Sequence, residues 1–268
     1  MKTFLLFSLL LLSSGSLIAQ DFALAQLENS PRHHEWVSIT VGDREVHAFV
    51  AYPEVSEKAL VAIVIHENRG MTDWVRSFAD QLAAEGIIAI APDLLSDFSE
   101  TMRRTSDFAS SDDARTALYE LNPDQITLDL TAVQAYGASL EAGSGKTVVM
   151  GFCWGGAQTF RFATNNSDME ASMVFYGSGP QGDNVFSTIS KPVYGFYAEN
   201  DQRINAELAS IDSTMKSLGK DFEYEIYAGA GHAYMRSGDD PAGSDANKAA
   251  RNDSFERLKA ILKSIAAN

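Results

Sequence analysis

The sequence predicts an α/β protein, with a mostly parallel, doubly wound sheet and helices on both faces. Short, continuous apolar runs such as Leu60–Ile65 and Ile87–Ala91 have the look of strands buried on both sides. They alternate with segments whose apolar residues recur at helical spacing. A third observation is Gly151-Phe152-Cys153-Trp154-Gly155-Gly156, which lies between a strand-like run, Lys146–Met150, and a helix-like one, Ala157–Thr164. Such a strand, tight turn and helix is the setting of a nucleophile elbow.

The first 20 residues stand apart from this pattern. Met1-Lys2 supplies a positive start, Phe4–Leu12 is apolar except for Ser8, and Ser13–Ala19 is small and mildly polar. Residues 1–20 therefore read as a secretory signal peptide, with an uncleaved membrane anchor as the alternative. No cysteine ends the apolar run, so lipid anchoring is not expected. Residues 21–268 remain as a single domain, exported to the periplasm or beyond the cell and, by default, monomeric.

Within that domain, Trp36–Val41 and Glu45–Ala51 alternate as strands and meet at Gly42-Asp43. The Leu60–Ile65 strand leads to a helix over 72–85, with Trp74, Phe78 and Leu82 on one face and Gly86 at its close. Ile87–Ala91 follows, stopped by Pro92. The acidic, serine-rich stretch Ser96–Asp113 reads as a loop or broken helices near the site. Pro123 opens a helix that places Ile126, Leu130, Val133 and Leu140 together. Beyond the elbow come strands at Ala171–Tyr176 and Pro192–Tyr197, then a helix marked by Leu208, Ile211, Met215 and Leu218. A strand at Phe222–Tyr227, a polar loop at Asp239–Asp245 and a last helix through Phe255, Leu258, Leu262 and Ile265 complete the chain.

Composition excludes several functions. Acidic residues number 36 against 21 basic, a net charge of −15, which repels phosphate backbones and argues against nucleic acid as a partner. The single cysteine forbids an internal disulfide, so stability must come from packing. It also leaves no resolving thiol for a redox role. No cluster of His, Cys and Asp has metal-ligand spacing, and neither metal nor cofactor is expected. Gly143-Ser144-Gly145-Lys146 precedes a strand, whereas a phosphate-binding loop would follow one.

Cys153 could be a small buried hydrophobe, but its elbow and an ordered set of partners favour a catalytic thiol. A position at a helix N-terminus should stabilise its thiolate. Asp201 ends a strand, in Tyr197-Ala198-Glu199-Asn200-Asp201, and His232 follows another, in Gly229-Ala230-Gly231-His232. The order nucleophile, acid, histidine is that of α/β-hydrolases. Asp201 could instead cap the following helix, His232 could be a surface residue, and Glu199 is a weaker rival for the acid. His33, His34 and His47 are expected to be structural or exposed.

These segments, with His232-Ala233-Tyr234-Met235-Arg236 and Val64-Ile65-His66-Glu67-Asn68-Arg69-Gly70, resemble the dienelactone hydrolase (carboxymethylenebutenolidase) family over nearly the whole mature chain. The resemblance implies the α/β-hydrolase fold and hydrolysis of small, carboxylate-bearing lactones or esters. It implies that Glu67 sits beside the thiol, that the N–H groups of Asn68 and Trp154 form an oxyanion hole, and that Arg236 receives the substrate's carboxylate. A second carboxylate-binding arginine would be Arg103, Arg104 or Arg115. Arg69 stands where the best-known members are more apolar, and could pair with Glu67 or reach the substrate. A carboxylate at the end of a buried strand needs a role or a partner, so an ion pair of Glu67 with Arg69 or Arg236 is the structural alternative; for Arg236, a solvated surface charge is another. The rival functions are a general esterase or thioesterase on this scaffold and a carboxylate-binding protein without turnover.

Overall fold

The structure is a computed structural model that describes residues 21–182 and 184–268; the expected signal peptide, residues 1–20, lies outside them. Eight strands form one sheet in the order β1-β2-β4-β3-β5-β6-β7-β8. They are β1 (His34–Val41), β2 (Arg44–Ala51), β3 (Ala59–Ile65), β4 (Ile88–Pro92), β5 (Gly143–Phe152), β6 (Ser172–Phe175), β7 (Val193–Ala198) and β8 (Phe222–Tyr227). β2 runs antiparallel to both of its neighbours, and the sheet is parallel from β4 through β8. This is the mostly parallel sheet that the alternating pattern predicts.

The sequence shows why both faces are covered. Every residue of β3 is buried, and its alternate side chains serve different cores. Leu60, Ala62 and Val64 join a cluster with Trp74, Phe78 and Leu258. Val61, Ile63 and Ile65 join one with Leu118, Ile126 and Leu130. A side-chain period of two sends successive apolar residues to opposite faces, so an unbroken apolar run demands helices on both. The helices α2 (Asp73–Ala84) and α8 (Asp245–Ala267) cover the first face. α3 (Ser111–Glu120) and α4 (Pro123–Ser139) cover the second, and α5 (Trp154–Asn165) contributes to it. α6 (Gln202–Ser217) packs Leu208, Ile211 and Met215 with Phe160 and Val193.

Pro123 occupies the first turn of α4, as expected, with Asn122 accepting from the Asp124 N–H ahead of it. The structure also has elements that the pattern missed. α1 (Asp21–Glu28) is too short for a periodic signal. The helix α7 (Tyr234–Asp239) is six residues long and begins two residues after His232. The stretch 96–113 contains one 3₁₀ turn, Thr105–Asp107, and the start of α3, whose cap Ser110 accepts from the Asp113 N–H.

Candidate active site

The carboxyl ends of the parallel strands gather the site. β3 and β5 are paired up to Ile65 and Gly151, so the Glu67-Asn68 turn and the Cys153-Trp154 elbow leave the sheet side by side. Cys153 itself has φ +56° and ψ −113°, a sparsely populated positive-φ conformation that costs a non-glycine residue about 1–3 kcal/mol. The surroundings enforce it. A Cβ at Gly151 would strike the Gly155 carbonyl, and one at Gly155 would strike the carbonyls of Ile65 and His66. The Cys153 N–H donates to the Phe175 carbonyl on the next strand, 3.0 Å away.

His232 Nδ1 donates to Asp201 Oδ2 at 2.5 Å. Asp201 is buried and His232 half-exposed. This fixes the tautomer in which Nε2 is the open nitrogen, the one a general base uses. Asp201 stands at the N-cap of α6 but makes no side-chain cap bond; its carboxylate is spent on the histidine instead. Glu199 has another task, accepting the Gly229 N–H at 2.7 Å, while the Asn200 N–H donates to the Ala230 carbonyl at 2.9 Å. These two bonds bind the acid loop to the histidine loop.

Cys153 and His232 line one cavity of about 370 Å³. Its walls include Leu118, Leu121 and Ile126 from the α3–α4 segment, together with Trp154, Tyr176 and Arg203. Trp154 therefore faces the site, whereas Phe152 is fully buried among Trp74, Phe78 and Phe175. Tyr176 has φ +39°, sets its ring 5.1 Å from that of His232 edge-on, and leaves its buried hydroxyl without a partner.

Burial, reinforced by the negative charge of Glu67, pushes the Cys153 thiol up to about 11. The Trp154 N–H and the charge of Arg203 oppose that shift without overcoming it. A helix N-terminus was expected to stabilise the thiolate; here desolvation and a like charge outweigh it, and the resting sulfur carries its proton.

Arg236 Nε donates to Glu67 Oε2 at 2.6 Å, the ion pair that the sequence left open as an alternative. The other carboxylate oxygen, Oε1, is buried without a partner. Arg115 pairs with Asp112 at 3.4 Å on the exposed side of α3, because that helix turns Ala114, Ala117 and Leu118 inward and leaves the guanidinium to its acidic first turn. Arg69 is exposed. Among the described residues, the arginine on the cavity wall is Arg203, and neither Arg236, Arg115 nor Arg69 lines it. Arg103 pairs with Asp97 at 2.8 Å and Arg104 stacks on Trp36 at 5.6 Å, so both are committed elsewhere.

His66 was not singled out in the sequence. It is fully buried and its ring stacks on Trp154, 5.5 Å between centroids and 8° between planes. Nε2 accepts the Leu94 N–H at 3.2 Å, so Nδ1 carries the proton and donates to the Glu67 carbonyl at 2.8 Å. That carbonyl belongs to the peptide whose N–H is Asn68, and a planar trans peptide points the two groups opposite ways. The imidazole thereby fixes where the Asn68 N–H aims. Burial lowers the affinity of His66 for a second proton, which keeps it neutral.

The elbow, the Asp201–His232 pair and the mostly parallel sheet define an α/β-hydrolase. The sequence profile of the dienelactone hydrolase family matches residues 46–266, and the chain belongs to that family. A protein of Saccharolobus solfataricus provisionally named carboxymethylenebutenolidase is 31% identical over 252 residues, covering 82% of this chain and 95% of its own. One from Escherichia coli K12 with the same provisional name is 29% identical over 199 residues, covering 70% and 72%. Among solved structures, a provisionally named dienelactone hydrolase from Klebsiella pneumoniae superposes with a TM-score of 0.75 at 22% identity, covering 87% of this chain and 98% of its own. The dienelactone hydrolase-like phosphotriesterase P91 from metagenomic libraries reaches 0.72 at 18%, with the same coverage. At those identities the two structures share the fold. Hydrolase chemistry on ester or lactone bonds follows from the family.

Proposed function

We propose that the protein is an exported, monomeric, cysteine-dependent hydrolase of small carboxylate-bearing lactones or esters. Cys153 attacks the carbonyl carbon, and His232, oriented by Asp201, takes the thiol proton and later activates water. Glu67, whose charge reaches the sulfur and whose Oε1 has no partner, assists in removing that proton. The N–H groups of Asn68 and Trp154 receive the developing oxyanion; losing one such donor typically costs about 3 kcal/mol of barrier. Attack forms the C–S bond and expels the alcohol or enolate, which leaves protonated by His232; hydrolysis of the thioester returns the thiol and releases the acid.

One observation carries the reading. A cysteine held in a strained, positive-φ turn lines the same cavity as a histidine whose far nitrogen is bonded to a buried aspartate. A thiolate leaves more readily than an alkoxide, so activated esters and enol lactones suit this site better than amides. The purified protein is expected to turn over p-nitrophenyl acetate and a dienelactone. Cys153→Ala and His232→Ala should each lower kcat by at least ~10³-fold without loss of fold by circular dichroism. Binding of these compounds with no turnover by the unaltered protein would overturn the hydrolase and favour a carboxylate-binding protein.

A further inference from the structure

The cavity that holds Cys153 and His232 is unusual in a molecule of net charge −15, because its described lining contains one arginine and no carboxylate. That arginine is Arg203, in the first turn of α6, two residues after the acid Asp201. A cation there works against the helix macrodipole. An acidic chain offers many ways to neutralise it, yet the carboxylates nearest in sequence are engaged elsewhere. Asp201 is bonded to His232 at 2.5 Å, Glu199 accepts from the Gly229 N–H at 2.7 Å, and Glu207 accepts from the Gly179 N–H at 3.3 Å.

Two neutral polar side chains share the lining, Gln158 and Ser178. The Gln158 Oε1 is buried without a hydrogen-bond partner, so this amide is not committed to the protein interior at that atom. The same lining includes Leu118, Leu121 and Ile126 from the α3–α4 segment, which supply apolar surface. Arg203 also acts on the reacting sulfur, since its charge opposes the upward shift of the Cys153 thiol. Both residues line the one cavity, so a single small substrate can meet the two.

We propose that Arg203, with Gln158 and Ser178, forms the subsite for an anionic group of the substrate, while the Leu118, Leu121 and Ile126 wall takes an apolar arm. The substrate class is then an amphiphilic ester, with a carboxylate directed to α6 and an aryl or alkenyl group directed to α3 and α4. This rests on the hydrolase reading above and differs from the expectation for Arg236 and Arg115, neither of which lines this cavity.

The test compares 4-acetoxybenzoate with its neutral counterpart 4-acetoxybenzamide. The unaltered protein should prefer the anionic ester in kcat/KM, and added salt should narrow the preference. Arg203→Gln should reduce that preference about tenfold, mainly through KM, as expected when one charge-assisted hydrogen bond is lost at a partly exposed site. Arg203→Lys should restore part of it. Because Arg203 is exposed, thermal midpoints should stay within the range of ordinary surface changes. An unaltered preference in Arg203→Gln, or equal use of both esters by the parent protein, overturns the subsite while leaving the hydrolase standing. Turnover of neither ester by the parent protein overturns the hydrolase reading and the subsite with it.

Discussion

Cys153 is the residue at which opposing forces meet. Its thiol is held at about 11 by burial and by Glu67, so at pH 7.5 the thiolate is on the order of 10⁻³ to 10⁻⁴ of the population. Alkylation by iodoacetamide should accordingly be slow at neutral pH and rise roughly tenfold per pH unit past pH 9, where an ordinary thiol has already levelled off. In Glu67→Gln, a negative charge near the sulfur is gone and Arg236 loses its partner. Both changes favour the thiolate, so the alkylation profile should move to lower pH even as turnover falls. A profile that stays put or moves upward would show that Glu67 does not act on the thiol. Suppressing the resting thiolate also protects the residue from oxidation, to which a permanently ionised, accessible cysteine is prone.

At the level of elements, the elbow depends on how closely α5 approaches the strands beneath it. The sequence displays this as glycines on either side of the nucleophile, and the reason is visible at Gly155, where an added methyl would meet the carbonyls of Ile65 and His66. Gly155→Ala should cost about 1–3 kcal/mol through overpacking, read as a lower urea midpoint at unchanged slope. Its activity loss should exceed what the destabilisation explains, because Trp154 and Cys153 move with the helix. The His66 ring ties the same helix to the β3 turn, through its stack on Trp154 and its bond to the Glu67 carbonyl. No local pattern marks His66, since its partners Leu94 and Trp154 belong to distant elements.

For the whole molecule, with one cysteine and so no internal cross-link, cohesion comes from the two sheet faces and from a few buried charges. The most connected of these is Asp80 on α2, which accepts from Ser30 at 2.6 Å, Arg32 at 2.7 and 2.6 Å, and His34 at 2.7 Å. It fastens the segment that leads into β1 onto α2. Burial alone would raise this carboxyl, but the bonds from Arg32, Ser30 and His34 outweigh it and hold it below the ordinary range. A carboxylate depressed in the folded state stabilises above its unfolded pKa, about 3.9, and loses that contribution as pH falls through the folded value. Asp80→Asn should therefore cost about 3 kcal/mol at pH 7. The gap in urea stability between parent and variant should begin to narrow as the pH drops below about 4 and close once it passes the depressed folded value, and a gap that does not narrow over that range would rule out the charge as its source.

The sheet, the helices over it, the elbow and the candidate acid and base at strand ends were all legible in the sequence, because each is written in local periodicity or in a few adjacent residues. Asp201 could be preferred to Glu199 only as the later residue of its loop; the loop-to-loop bond from Glu199 to Gly229 explains why. The arginines were not legible in this way. Arg236 meets Glu67 across 169 positions, and Arg203 reaches the cavity because Asp201 anchors the start of its helix. Composition and order thus determined which groups the protein has for chemistry and at which edge of the sheet they emerge. Only the tertiary structure decided which guanidinium is bound by a carboxylate and which is left for a substrate, since charge pairing depends on distances of a few ångströms between segments that the chain order does not relate.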